Sequence, residues 1–121
     1  MRSILVVDDN EDMRTLLTNL LVTNGFKVDL AQDSEIAFEI LSRLKPDLIL
    51  LDIRLPKLNG LEMLKRIKEN NPEAKVILLT AYSSISSRNK AVEYGANDYV
   101  TKPFDNYELL NRINLLMGKE S

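Results

Sequence analysis

Five short runs rich in Ile, Val and Leu recur along the chain, at Ile4 to Val7, Val28 to Ala31, Leu48 to Leu51, Val76 to Leu79 and Tyr99 to Val100. Each predicts a β-strand. In the first, third and fourth runs the apolar residues are consecutive rather than alternating, which suits strands covered on both faces, as in a parallel sheet. Between the runs, apolar residues recur at helical spacing: Met13, Leu17, Leu20 and Leu21; then Ile36, Ala37, Ile40, Leu41 and Leu44; then Leu61, Leu64 and Ile67. Leu109, Leu110, Ile113, Leu116 and Met117 follow the last run in the same way. These stripes predict amphipathic helices. Gly25 marks the end of the first helix and Pro72 follows the third, while Asp105 with Glu108 forms a capping pair before the last.

Strict alternation of strand and helix, with crossovers of this length, predicts a doubly wound α/β sheet with helices on both faces. One helical segment is weak. Ser84 to Tyr94 opens on Ser83-Ser84-Ile85-Ser86-Ser87-Arg88-Asn89, which is poor in strong helix formers, so the fourth helix is expected to be the most mobile. No linker, repeat or low-complexity segment interrupts the pattern, and residues 1–121 read as one domain.

Composition narrows the chemistry. A chain of 121 residues can bury roughly two thirds of the surface its unfolded form exposes, enough for one core. Acids outnumber bases by 18 to 16, which argues against direct nucleic-acid or anionic-membrane binding. No apolar run nears the length of about 20 residues that a bilayer-spanning helix needs, and Met1-Arg2-Ser3 carries no signal-peptide pattern, so a cytoplasmic address is expected. The chain has no Cys and no His. That excludes disulfides, thiol chemistry, zinc–thiolate sites and phosphohistidine, and any metal site must be built from oxygen ligands.

In an open α/β sheet, ligands bind beyond the carboxyl ends of the strands. Asp8 and Asp9 end the first strand, Asp52 the third and Thr80 the fourth, and Lys102 follows the fifth, so all five fall on one rim. Two unit charges about 4 Å apart repel by about 4 kcal/mol at an effective dielectric near 20, a cost that a divalent cation removes. Mg2+ takes one or two carboxylates plus phosphate oxygens and keeps several waters, so the triad fits a half-built Mg2+ site that a substrate completes. A carboxylate in such surroundings can attack phosphorus to give an aspartyl phosphate. The Lys102 ammonium would share the charge of the transferring group, and the Thr80 hydroxyl can donate to one of its oxygens. Taken singly, Asp8 or Asp9 would serve as well in a helix cap or turn, Thr80 as a β-branched strand residue, Lys102 as a solvated loop charge and Tyr99 as core. Their coincidence at successive strand ends favours the chemical reading.

The stretches Ile4-Leu5-Val6-Val7-Asp8-Asp9-Asn10, Leu50-Leu51-Asp52-Ile53-Arg54-Leu55-Pro56, Asn59-Gly60, Leu79-Thr80-Ala81 and Tyr99-Val100-Thr101-Lys102-Pro103-Phe104 together resemble a bacterial response-regulator receiver domain over nearly the whole chain. The resemblance implies a flavodoxin-like, five-stranded parallel sheet in the order 2-1-3-4-5 with five helices, an order taken from the likeness and not from spacing. It implies a phosphorylation-dependent switch of a two-component system or phosphorelay. Asp52 would accept the phosphoryl group, with Asp8, Asp9 and the backbone carbonyl of Arg54 completing the Mg2+ ligands. Thr80 would move toward the phosphoryl group, Tyr99 would rotate inward behind it, and Lys102 would pair with the phosphate. Arg54 and Tyr82, two residues after Asp52 and Thr80, stand at positions that control the lifetime of the acyl phosphate, and the bond before Pro103 is expected to be cis. The implied donor is a sensor histidine kinase or histidine phosphotransferase, and the implied output face is helix four, strand five and helix five, reaching an effector domain or protein. A monomer or a phosphorylation-promoted homodimer would fit. Leu55-Pro56 and Thr80-Ala81-Tyr82 give a local flavour similar to nitrogen-regulation activators and stand-alone sporulation receivers. Lys57-Leu58-Asn59-Gly60 lacks the acidic residue often found before that Gly, and Asn59 can serve the same turn.

Two other classes compete. A metal-dependent phosphatase or phosphotransferase would resemble a strand-end Asp-x-Asp, whereas this chain has Asp8-Asp9-Asn10 and no region to form a cap. A receiver-like binding module without phosphorylation would be expected to lack some of the acceptor, acids, hydroxyl, lysine and aromatic, all of which are present. Gly118-Lys119-Glu120-Ser121 follows the last helix directly, which fits a stand-alone receiver or the N-terminal domain of a longer regulator.

Overall fold

A computed structural model describes residues 2–118. Five strands, β1 (Ser3–Val7), β2 (Lys27–Ala31), β3 (Leu48–Leu51), β4 (Val76–Thr80) and β5 (Asp98–Thr101), alternate with five helices, α1 (Glu11–Thr23), α2 (Ser34–Leu41), α3 (Gly60–Asn70), α4 (Ile85–Glu93) and α5 (Asn106–Met117). All neighbouring strands pair in parallel, in the order β2-β1-β3-β4-β5. The expected fold is therefore present. The three runs with consecutive apolar residues are the three interior strands, nearly every residue of which is buried, whereas β2 and β5 lie at the edges and each buries only one residue fully.

Successive side chains of a strand point to opposite faces, so each interior run feeds two cores. Leu5, Val7, Ile49, Leu51, Val76 and Leu78 pack with Ala37, Met63, Leu64, Ile67 and Ala91 of α2, α3 and α4. Ile4, Val6, Leu48, Leu50, Ile77 and Leu79 pack with Leu17, Leu21, Leu109 and Ile113 of α1 and α5. Burying a Leu, Ile or Val fully is worth about 1.5–3 kcal/mol, so these two layers dominate the stability of the sheet.

Local chemistry sets the helix boundaries. Asn10, Asp33, Asn59, Ser84 and Asp105 each place a side-chain oxygen on backbone N–H groups of the first turn that have no intrahelical partner. The cap of α1 is thus Asn10, which leaves Asp8 and Asp9 for other work. Gly25, past the end of α1, adopts φ +90°. Two expectations need correction. The stripe assigned to α2 ran to Leu44, but the helix ends at Leu41 and Leu44 is 40% exposed, because the chain must turn toward Pro46 and β3. The capping pair is half formed: Asp105 Oδ1 accepts from the Glu108 N–H at 3.1 Å, while the Glu108 carboxylate accepts from Arg112 at 3.2 Å, an i, i+4 contact. The fourth helix exists, yet only Ser87 and Ala91 of it are buried, while Ile85 and Val92 are 81% and 79% exposed.

Candidate functional site

The parallel ladder continues one residue past the strand ends and brings the acids together. The Asp8 N–H donates to the Ala31 carbonyl at 3.1 Å, and the Asp52 N–H donates to the Val7 carbonyl at 3.0 Å. Asp8 and Asp52 are 2% and 7% exposed, while Asp9 is open to solvent. One carboxylate oxygen from each of Asp8, Asp9 and Asp52 lies within 4.8 Å of the others. On the neighbouring strands, the Lys102 N–H donates to the Thr80 carbonyl at 2.9 Å, and the following Lys102–Pro103 bond is cis, as expected.

Lys102 turns inward across this rim. Its Nζ donates to Asp8 Oδ2 at 2.6 Å and to Asp52 Oδ2 at 3.1 Å. The second oxygens have backbone donors, Asn10 N–H to Asp8 Oδ1 at 2.9 Å and Arg54 N–H to Asp52 Oδ1 at 3.2 Å. Burial alone would lower the pKa of Lys102, but the hydrogen bond to Asp8 and the charges of Asp52 and Asp8 together outweigh it and raise it above its ordinary value. The ammonium that sequence reasoning reserved for phosphate therefore already offsets repulsion between the two buried acids. Three clustered carboxylates, one of them solvent-facing, make an oxygen donor set that suits a hard divalent cation such as Mg2+.

A second layer joins the rim to α4. Thr80 is buried, and its Oγ1 accepts from the Tyr82 N–H at 3.1 Å. Half-buried Tyr99 donates its hydroxyl to the Tyr82 carbonyl at 2.8 Å. Both proposed switch residues thus hold the backbone of the same residue, one on each side. The Tyr82 ring in turn lies beneath the Arg54 guanidinium, 4.3 Å from it, so the two positions after the acceptor and after Thr80 are stacked on each other. Arg88 of α4 covers the Tyr99 ring at 4.4 Å and donates to Ser83 Oγ at 3.1 Å.

Every site residue expected from sequence lies in this region. Two neighbours were missed. Arg14 donates to the Asp8 carbonyl at 2.8 Å from the first turns of α1, where its position four after the Asn10 cap was the available signal. Arg88 carried no signal, since its contact with Tyr99 depends on how α4 lies against β5.

The response regulator receiver domain model matches residues 4–114. This chain belongs to that family. The receiver is 38% identical over 118 residues to the response regulator MprA of Mycobacterium sp. (strain KMS), covering 98% of this chain and 51% of MprA. It is 43% identical over 118 residues to the transcriptional regulatory protein DltR of Streptococcus agalactiae serotype III (strain NEM316), covering 98% of this chain and 53% of DltR. The receiver thus spans about half the length of these curated relatives. Among solved structures, the response regulator TrrA of Thermotoga maritima in complex with Mg2+-BeF is similar at a TM-score of 0.88 and 38% identity, covering 96% of this chain and 99% of TrrA. The BeF3-activated DrrB receiver domain is similar at 0.89 and 35%, covering 98% and 99%. The fold and the family make this chain a module of two-component signalling. No helix among the described residues is long and apolar enough to cross a membrane.

Proposed function

We propose that Asp52 accepts a phosphoryl group and that the receiver then acts as a switch on α4, β5 and α5. The observation that carries this is the rim itself: a buried Asp52 carboxylate in contact with Lys102, beside two further acids. With no His in the chain, the phosphoryl group must come from outside, from a phosphohistidine of a kinase or phosphotransferase or from a small acyl phosphate. An Asp52 carboxylate oxygen bonds to phosphorus as the bond from phosphorus to the donor nitrogen or oxygen breaks, and the leaving group carries away that electron pair. Asp8, Asp9, Asp52 and the Arg54 carbonyl would hold Mg2+, which when bound would spread the charge on the phosphoryl oxygens. Support comes from TrrA, similar over almost its whole length and bound to Mg2+-BeF.

Phosphorylation adds roughly −1.5 to −2 charges. Lys102 then exchanges a carboxylate for a phosphoryl oxygen, and the Thr80 hydroxyl, which retains its own proton to donate, turns toward the same group. Thr80 and Tyr99 both hold Tyr82, so moving Thr80 redistributes the arrangements of the β4–α4 loop and of the sparsely buried α4. The output is an effector domain or protein, as the greater length of the relatives suggests. Incubation with acetyl phosphate and Mg2+, read by intact mass, tests the assignment. One added phosphoryl group is expected in the wild type and none in Asp52→Asn; an adduct that survives the substitution refutes it.

A further inference from the structure

Lys57 stands in the loop between β3 and α3, at φ +75°, the only non-glycine residue at positive φ among the described residues. The Leu58 N–H donates back across it to the Pro56 carbonyl at 3.0 Å. A hydrogen bond spanning one residue at positive φ is a γ-turn of the rare, strained hand, which a side chain disfavours and glycine tolerates. Something must hold a lysine there.

The contacts all run to the first residues of α2. Lys57 Nζ lies 3.5 Å from Asp33 Oδ2 and 3.1 Å from Glu35 Oε2. The Leu58 N–H is shared with Ser34 Oγ at 3.1 Å. Asp33 and Ser34 are buried, so two of the three anchors belong to the rigid cap of α2 and not to mobile surface groups. The loop so gripped begins at Asp52-Ile53-Arg54 and ends where the Gly60 N–H donates to the Ile53 carbonyl at 2.7 Å. Its two ends are fixed by the sheet and by α3; in its middle Leu55 and Leu58 pack on the core, and the polar contacts of Lys57 and Leu58 run to the cap of α2.

We propose that Lys57 is a positioning residue, a latch that clamps the β3–α3 loop to α2 and so holds the Arg54 backbone carbonyl where the Mg2+ site needs it. The latch rests on geometry alone; its effect on metal rests on the Mg2+ reading given above. Lys57→Gln keeps the strained turn and removes the clamp, so the loop relaxes. Hydrogen exchange at the Leu58 amide, followed without metal, reads the latch. Mg2+ titration by calorimetry reads its consequence.

A solvent-screened ion pair has a small effect, so Lys57→Gln is expected to speed Leu58 exchange and weaken Mg2+ binding, each roughly two- to fivefold. Lys57→Arg, which restores the charge, is expected to restore both. Simple loss of a positive charge near an acidic cluster has the opposite sign and would tighten Mg2+ binding. Unchanged Leu58 exchange in Lys57→Gln, or Mg2+ bound as tightly as by the wild type or more so, overturns the proposal. A wild type that takes no Mg2+ while Leu58 exchange responds as expected overturns the Mg2+ reading and leaves the latch standing.

Discussion

Replacing Gly60 with Ala sets two effects of opposite sign against each other at the acceptor strand. Gly60 opens α3, and in a helix Ala is favoured over Gly by up to about 1 kcal/mol, so local propensity alone makes the variant more stable. A Cβ at Gly60, however, would stand 2.0 Å from the Asp52 carbonyl oxygen, 2.7 Å from Ile53 Cα and 2.8 Å from the Asp52 carbonyl carbon. Ordinary contact begins at about 3.4 Å, so α3 and the end of β3 must separate by more than 1 Å. All three obstructing atoms are backbone, and none can rotate away. Overpacking costs about 1–3 kcal/mol, and with walls this rigid at least the upper figure applies, which leaves a net loss of about 2 kcal/mol or more after the propensity gain. With a urea dependence of about 1–3 kcal/mol per M, the unfolding midpoint is expected to fall by about 1 M or more. Acetyl phosphate labelling, compared at equal folded fraction, is expected to slow as well, since moving the Asp52 backbone moves its carboxylate. A Gly60→Ala midpoint at or above that of the wild type would show that the approach of α3 to Asp52 does not constrain the site.

Lys102→Met leaves Asp8 and Asp52 facing each other without their shared cation, and a loss of about 2–3 kcal/mol is expected in urea unfolding with chelator present, reduced when Mg2+ is added. The folded pKa of Lys102 is raised, so its contribution is full below the unfolded value of about 10.4 and disappears as pH climbs through the folded value. The stability gap between wild type and Lys102→Met is therefore expected to be level from neutral pH to about 10 and to close above it; a gap that closes below pH 9 contradicts the pairing. Joint replacement of Arg54 and Tyr82 by Ala removes a stacked pair worth about 0.5–1 kcal/mol, and phosphate loss timed on the labelled protein is expected to quicken severalfold. An unchanged rate would mean that the stack does not shield the acyl phosphate.

The fold was legible because each requirement is written locally. Three uninterrupted apolar runs suit strands buried on both faces, and they are the three interior strands. Strand order was not legible in this way: a parallel crossover sets handedness and not which neighbour the next strand joins, so the order followed from family likeness. The end of α2 was misjudged because Leu44 continues a helical spacing that the turn toward Pro46 overrides. Of the site, Asp8, Asp9, Asp52, Thr80 and Lys102 were legible because the carboxyl ends of parallel strands must share one rim.

By itself the sequence determined which chemistry is possible here: oxygen ligands only, an acid as acceptor, and a donor supplied from outside, since residue types alone decide what can ionise, ligate or attack. Tertiary structure alone decided who touches whom. Lys102 bridges Asp8 and Asp52, Tyr82 is held by both Thr80 and Tyr99, Arg54 stacks on Tyr82, and Lys57 grips the cap of α2. Apart from the local bond between Thr80 and Tyr82, each of these contacts joins residues far apart in the chain, and their distances depend on how the strand ends and helices settle together, which no periodicity in the chain encodes.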